Sequence, residues 1–219
     1  MNKHPKIYLI HAADVAMPPI AESFRANWPE AQIVNLLEDA LMTDLAADGG
    51  LTDAMTERFV QIGRYCVKAS ADAILFTCSA FGPAIEECRR QVSIPVLKPN
   101  EAMYEELVAQ SGTVSLLATF QPSLPSMVAE IEAAAKSRGT RITVRPQLVA
   151  GALAALQDNR AEEHNRLIAD TAVSQRDCDV IALAQFSMSP AKALAVHRTV
   201  TPILTTPDSA VAKLKALLA

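Results

Sequence analysis

The feature that most constrains the fold is a pattern that occurs twice, at an offset of 107 residues. The segment DAILFTC at residues 72–78 aligns without a gap with DVIALAQ at residues 179–185. At the same offset IYLI aligns with VSLL, and four further pairs match: Pro18 with Pro125, Pro83 with Pro190, Ala84 with Ala191 and Pro95 with Pro202. A single match arises easily by chance. Together the matches predict two similar units, because self-similarity at a fixed offset is typical of repeated structure.

Within each unit, apolar runs alternate with helical patterns. Predicted strands of the first half are KIYLIHA (6–12), AQIVNLL (31–37), ADAILFT (71–77) and IPVLK (94–98). Helices are predicted over residues 18–28 and 51–69, and in the second of these apolar residues recur every three or four positions. Apolar runs without polar alternation indicate strands that are covered on both faces, and hence a parallel sheet in an α/β fold. We predict a first α/β domain of residues 1–100 plus 205–219 and a second of residues 101–204.

Composition and charge exclude several classes of partner. The net charge is −4 with dispersed Lys and Arg, and aromatic residues are 5% of the chain, so we expect no nucleic-acid partner. No apolar run approaches the roughly 18 residues that span a bilayer, so we expect no membrane partner. The N-terminus begins like a signal peptide, but His11 and Asp14 interrupt its apolar stretch. The expected location is the cytoplasm.

The cysteines and histidines show no metal-binding spacing. None of Cys66, Cys78, Cys88 and Cys178 forms a CxxC pair, and the four histidines are dispersed. We therefore expect free thiols and no metal. The sequence also lacks GxGxxG and GxxxxGK[ST], the glycine motifs that bind nucleotide phosphates.

Cys78 and Gln185 occupy equivalent places, each at the C-terminal end of a predicted strand where a helix begins. Ligands of α/β sheets bind at that end. A helix N-terminus lowers the pKa of a thiol and can hold a carboxylate or enolate oxygen. Ser79 and Ser187 add hydroxyl donors at the two helix starts. The alternative is that Cys78 is a small buried packing residue, as free cysteines often are.

The sequence resembles the aspartate/glutamate/hydantoin racemase superfamily. ILFTCSAFG followed by IPVLKPNEAM is similar to the first cysteine motif, TVSLLATF to the family's strand ending in Ala-Thr, and DVIALAQFSMSP stands where the second cysteine motif belongs. The resemblance covers nearly the whole chain. It implies two α/β domains related by a pseudo-twofold axis, with the active site in the cleft between them. It also implies no cofactor, a small carboxylate-bearing substrate, and a homodimer or higher homo-oligomer.

The resemblance also implies residue roles, with one departure. Family members use two cysteines on opposite faces of the substrate carbon, and Cys78 matches the first, as thiol acid/base. Gln185 stands in place of the second, and an amide neither gives nor takes a proton at neutral pH. Predicted substrate-binding residues are His11, Ser79, Thr119, Phe186 and Ser187, with Phe186 facing an apolar substituent or packing in the core.

Three explanations of the missing cysteine remain open. His11 could serve as the second acid/base, or could be an ordinary hydrogen-bonded residue at a strand end. The reaction could need one thiol, as in relatives such as arylmalonate decarboxylase and maleate isomerase. Alternatively, the protein could bind a carboxylate without converting it.

Overall fold

The computed structural model describes residues 4–219, and within them eight strands form two four-stranded parallel sheets. The first sheet has the order β2-β1-β3-β4 and the second the order β6-β5-β7-β8, so the two orders are equivalent. The strands are β1 (Lys6–His11), β2 (Gln32–Leu37), β3 (Ala73–Phe76), β4 (Val96–Leu97), β5 (Gly112–Ala118), β6 (Ile142–Leu148), β7 (Val180–Leu183) and β8 (Ile203–Thr205). All pairings are parallel. The predicted α/β class with parallel sheets is confirmed.

Helices flank both sheets and connect successive strands. They are α1 (Met17–Asn27), α2 (Ala40–Ala47), α3 (Asp53–Lys68), α4 (Gly82–Gln91), α5 (Glu101–Gln110), α6 (Leu124–Arg138), α7 (Ala152–Gln157), α8 (Ala161–Ser174), α9 (Lys192–Ala195) and α10 (Thr206–Leu218). Short 3-10 helices at Ser79–Phe81 and Phe186–Ala191 precede α4 and α9. Within residues 4–219, no helix combines the length and apolar character needed to cross a bilayer.

Contacts divide the chain into two compact units. The first contains the chain up to Glu101 together with Ala210–Ala219, and the second is Ala102–Ser209. The C-terminal segment is tied into the first unit by Lys215, whose Nζ donates to the carbonyl of Asn27 at 3.1 Å.

The central strands are buried because both faces are covered. All four residues of β3 and all four of β7 are buried, whereas the edge strand β2 is only partly buried. In the second unit, alternate residues of β7 belong to different hydrophobic clusters, with Val180 and Ala182 in one and Ile181 and Leu183 in the other. Continuous apolar runs are therefore what these strands require.

The aspartate that begins each repeated motif has the same structural task in both units. Asp72 Oδ2 accepts from the backbone N–H of Lys6, and Asp179 Oδ2 accepts from that of Thr113, both at 2.7 Å. The backbone N–H of Asp72 in turn donates to the carbonyl of Lys6, and that of Asp179 donates to the carbonyl of Thr113, both at 2.8 Å. A Cβ on Gly112, whose φ is +94°, would lie 2.4 Å from Asp179 Oδ2, so the start of β5 requires glycine.

Candidate active site

Cys78 stands where the first central strand gives way to a helix. It follows β3 by two positions with extended backbone angles, and the 3-10 helix Ser79–Phe81 and then α4 begin directly after it. Pro83 lies in the first turn of α4, where its missing N–H costs no hydrogen bond. Cys78 is partly exposed, whereas Cys66 and Cys88 are fully buried.

The Cys78 thiol lies in a narrow recess whose other walls are mainly apolar. Its lining residues are Ile10, His11, Ala12, Leu41, Phe59, Phe76, Cys78 and Phe81. The Sγ atom is 3.9 Å from the Sδ atom of Met42. Burial raises the pKa of Cys78, and a hydrogen bond from the backbone N–H of Ala80 lowers it by a smaller amount. The expectation of a lowered pKa is therefore wrong, because loss of hydration at the thiolate outweighs the N–H groups of the helix start.

The other cysteines are less suited to chemistry. Burial raises the pKa of Cys66 to about 12 and that of Cys88 to about 11, so both stay neutral packing thiols. A Cβ on Gly63 of α3 would lie 2.4 Å from Cys88 Sγ, which shows how closely α3 and α4 pack there. Cys178 is partly exposed but precedes β7, at the opposite end of its sheet from Gln185.

Alkylation of Cys78 by iodoacetamide is expected to follow a pH curve whose midpoint lies above that of a cysteine in an unstructured peptide. The reason is the raised pKa, since only the thiolate attacks and the thiol predominates at neutral pH. Mass spectrometry of the Cys78 peptide over a pH series measures the midpoint, with glutathione as the reference thiol. A midpoint below the reference would show that the helix N-terminus outweighs burial.

His11, the last residue of β1, is 0% exposed, and both of its ring nitrogens have partners. Its Nδ1 lies 2.9 Å from Thr77 Oγ1, and its Nε2 lies 3.0 Å from Asn35 Oδ1. Burial lowers the pKa of His11, with the Asn35 hydrogen bond opposing it, so the ring is neutral at pH 7. In this arrangement His11 is a hydrogen-bonded strand-end residue, and neither nitrogen is available to a substrate.

Gln185 and Thr119 are brought together at the corresponding end of the second sheet. Gln185 Oε1 accepts from the Thr119 backbone N–H at 2.6 Å and from its hydroxyl at 2.9 Å. The amide oxygen is thereby held, and the Nε2 group has no hydrogen-bond acceptor within residues 4–219. Gln185 can therefore donate to an anionic oxygen but cannot transfer a proton.

The remaining predicted residues lie at the starts of the two 3-10 helices. Ser79 is exposed and Ser187 is partly buried, and neither hydroxyl has a hydrogen-bond partner in the described part of the chain. Phe186 is buried, which favours the packing role over contact with a substrate. Thr77, Asn35 and Met42 were missed by sequence reasoning. Thr77 lies inside the ILFTC segment, but nothing in the sequence connects Asn35 or Met42 with Cys78.

Metal-binding groups are not assembled at either place. Among residues 4–219, no three His, Cys, Asp or Glu side chains are grouped so that they could hold a metal ion.

Comparison with known proteins identifies both a family and a fold. The family described as Asp/Glu/Hydantoin racemase matches residues 1–214. Among curated proteins, none matches the sequence significantly. Solved structures with the same fold include Picrophilus torridus aspartate racemase, at 12% identity and a TM-score of 0.73 over 98% of this chain and 94% of that one.

Two further racemases are similar in structure. A glutamate racemase isoform from Bacillus anthracis is 14% identical, with a TM-score of 0.69 over 99% of this chain and 82% of that one. Allantoin racemase from Klebsiella pneumoniae is 16% identical, with a TM-score of 0.68 over 98% of this chain and 87% of that one. At these identities the likeness establishes a shared fold, and it agrees with the two parallel sheets.

Proposed function

The chain belongs to the Asp/Glu/Hydantoin racemase family, and on that premise we propose that it is a cofactor-independent isomerase that acts at a carbon alpha to a carboxylate or carbonyl, with Cys78 as its thiol acid/base. The observation that carries this proposal is the position of Cys78. It is a partly exposed thiol at the C-terminal end of a central strand, where a helix begins. Ligands of α/β sheets bind at that end.

The environment of Cys78 favours the neutral thiol as the resting form. The thiolate form of Cys78 takes the alpha proton of the substrate, which leaves a carbanion or enolate and a neutral S–H, and that S–H can return a proton to the carbon. The Ala80 N–H then donates to sulfur, which stabilises that thiolate. Deprotonation of a carbon acid places negative charge on the neighbouring carboxylate or carbonyl oxygens. Hydrogen-bond donors aimed at those oxygens lower the barrier.

The donors available at the two strand ends are neutral. In the proposal, the Ser79 hydroxyl donates to a substrate oxygen at the end of β3. The Ser187 hydroxyl and the Gln185 Nε2 group donate at the end of β7. Thr119 does not contact the substrate through its hydroxyl, because that group donates to Gln185 Oε1. In the proposal, Thr119 instead orients Gln185 by holding its Oε1, which leaves Nε2 to donate to the substrate.

A one-thiol reaction is the second candidate, and two observations favour it. Gln185 cannot replace the second cysteine as an acid, and both nitrogens of His11 are occupied by Thr77 and Asn35. In a decarboxylation, the bond between the alpha carbon and one carboxylate breaks, CO₂ leaves, and the electron pair forms an enediolate. Cys78 S–H protonates that carbon from one face, and solvent returns the proton to sulfur. A cis–trans isomerisation needs one transient thiol adduct.

Deuterium incorporation distinguishes these reactions. The protein is incubated in D₂O with aspartate, glutamate, hydantoins, substituted malonates and maleate, and each is followed by proton NMR and chiral chromatography. We expect Cys78-dependent deuterium uptake at the alpha carbon of a substrate. Racemised product indicates a second acid/base, and a single enantiomer or a trans alkene indicates one-thiol chemistry. Ligand-induced stabilisation without any Cys78-dependent turnover contradicts the enzyme proposal and indicates a carboxylate-binding protein.

A further inference from the structure

Hydrogen-bonded polar side chains link three neighbouring strands beside Cys78, and two of them, His11 and Thr77, are buried. His11 ends β1, Asn35 lies on β2, and Thr77 follows β3 and precedes Cys78. The His11 ring bridges the other two, with contacts of 2.9 Å to Thr77 Oγ1 and 3.0 Å to Asn35 Oδ1. Thr77 Oγ1 is also 3.2 Å from the carbonyl of Ile10. His11 lines the same recess as Cys78.

The hydrogen-bond directions fit a neutral imidazole. Asn35 Oδ1 can only accept, so Nε2–H of His11 donates to it. Nδ1 of the neutral ring is then an acceptor, and the Thr77 hydroxyl donates to it, sharing its proton with the Ile10 carbonyl. Removing the Thr77 hydroxyl would leave Nδ1 of the buried His11 without a hydrogen-bond partner, which is unfavourable.

The second unit shows that the fold does not require this network. At the 107-residue offset, His11 and Thr77 correspond to Ala118 and Ala184, which are also buried. The backbone bond is the same in both units: Thr77 N–H donates to Ile10 O, and Ala184 N–H donates to Leu117 O, each at 3.0 Å. The side-chain network is therefore present in the unit whose strand end bears a thiol and absent from the equivalent strand end that bears Gln185.

We propose that Thr77 and His11 are positioning residues that hold the Cys78 thiol inside its recess. The inference rests on the proposed role of Cys78. The Thr77 hydroxyl is hydrogen-bonded to His11, and the Thr77 backbone N–H is hydrogen-bonded to Ile10 of β1. These two bonds fix the direction in which Cys78, the next residue, leaves the sheet. Without the hydroxyl, the Cys78 segment is free to turn toward solvent. A thiol in solvent is easier to ionise but is no longer held against the substrate carbon.

The test compares Thr77→Val, which keeps the shape but removes the hydroxyl, with Thr77→Ser, which keeps the hydroxyl. Thr206→Val is the matched control, because Thr206 Oγ1 donates at 3.0 Å to the carbonyl of Leu183, at the end of a central strand in the second unit. All variants are made in a Cys178→Ser background, since Cys178 is also partly exposed. Alkylation of Cys78 is followed over a pH series, together with kcat and KM on any substrate found and unfolding in urea.

For Thr77→Val, the midpoint of Cys78 alkylation should move down toward that of a free thiol, while kcat falls about tenfold, equivalent to roughly 1.4 kcal/mol, and KM changes less than about threefold. Thr77→Ser should retain the wild-type alkylation midpoint and the wild-type kcat. Thr206→Val should lose comparable stability with no shift in the Cys78 midpoint. An unchanged midpoint in Thr77→Val, or an equal shift in Thr206→Val, overturns the proposal. The alkylation measurement needs no substrate, so it tests the positioning of Cys78 even if no turnover is found. The absence of turnover would contradict the proposed function alone.

Discussion

Replacing Cys78 with serine is expected to lower substrate deuterium exchange and turnover about 10²–10⁴-fold, the usual contribution of a positioned acid or base. A serine hydroxyl has nearly the shape of the thiol but does not ionise in the physiological range. The Cys78 thiol is also the group that receives the Ala80 N–H, so its thiolate is stabilised where a serine alkoxide could not form. The measurement is proton NMR in D₂O on the substrate with the highest wild-type rate.

Cys178→Ser is the matched control for that experiment. Cys178 is the other partly exposed thiol, and it precedes β7 rather than following it. Its replacement should leave the exchange rate within about twofold of wild type, because Cys178 has no part in the proposed chemistry. If Cys78→Ser keeps more than about a tenth of the activity, Cys78 is not the acid/base that the proposal requires.

Replacing Phe59 with alanine is expected to destabilise the first unit by about 3–5 kcal/mol. Phe59 of α3 is 1% exposed, and its ring centroid lies 5.2 Å from that of Phe76 and 5.0 Å from that of Phe81. Phe76 ends β3 and Phe81 ends the 3-10 helix after Cys78, so the three rings support the segment that carries the thiol. The truncation leaves a cavity that this packed layer can fill only in part.

Urea unfolding followed by tryptophan fluorescence measures this effect in the relevant unit. The chain has one tryptophan, and Trp28 is buried in the first unit beside Phe24. Phe120→Ala is the control, because Phe120 is 48% exposed and should change stability by no more than about 0.5 kcal/mol. Equal urea midpoints for Phe59→Ala and wild type would contradict the role given to the aromatic layer.

Local patterns were sufficient for the central strands, but they did not predict β6, whose residues are mostly exposed. Strands β3 and β7 lie in the apolar runs of the repeated motif, and α3 lies within the predicted helix at residues 51–69. This worked because a strand buried on both faces must be apolar throughout, and a helix on a sheet must be apolar every three or four residues. The ends of IPVLK did not follow the pattern, since only Val96–Leu97 pairs with β3.

The candidate site was less predictable because its chemistry depends on groups far apart in sequence. Position at a strand end indicated Cys78, and the same position indicated a lowered pKa. The pKa of Cys78 is raised instead, because burial of the thiol among residues of β1, α2 and α3 outweighs the hydrogen bond from one backbone N–H. His11 was noticed as a histidine at a strand end. Its lack of a free nitrogen follows only from Asn35 and Thr77, at sequence separations of 24 and 66 residues.

The sequence by itself determined the class of the fold and the equivalence of the motifs that carry Cys78 and Gln185. These follow from periodicity and residue identity, which are properties of the chain before it folds. Only the tertiary structure decided which polar atoms are already paired: Gln185 Oε1 with Thr119, and both nitrogens of His11. Hydrogen-bond pairing and loss of hydration depend on what other strands bring within a few ångströms, and a linear sequence does not specify those distances.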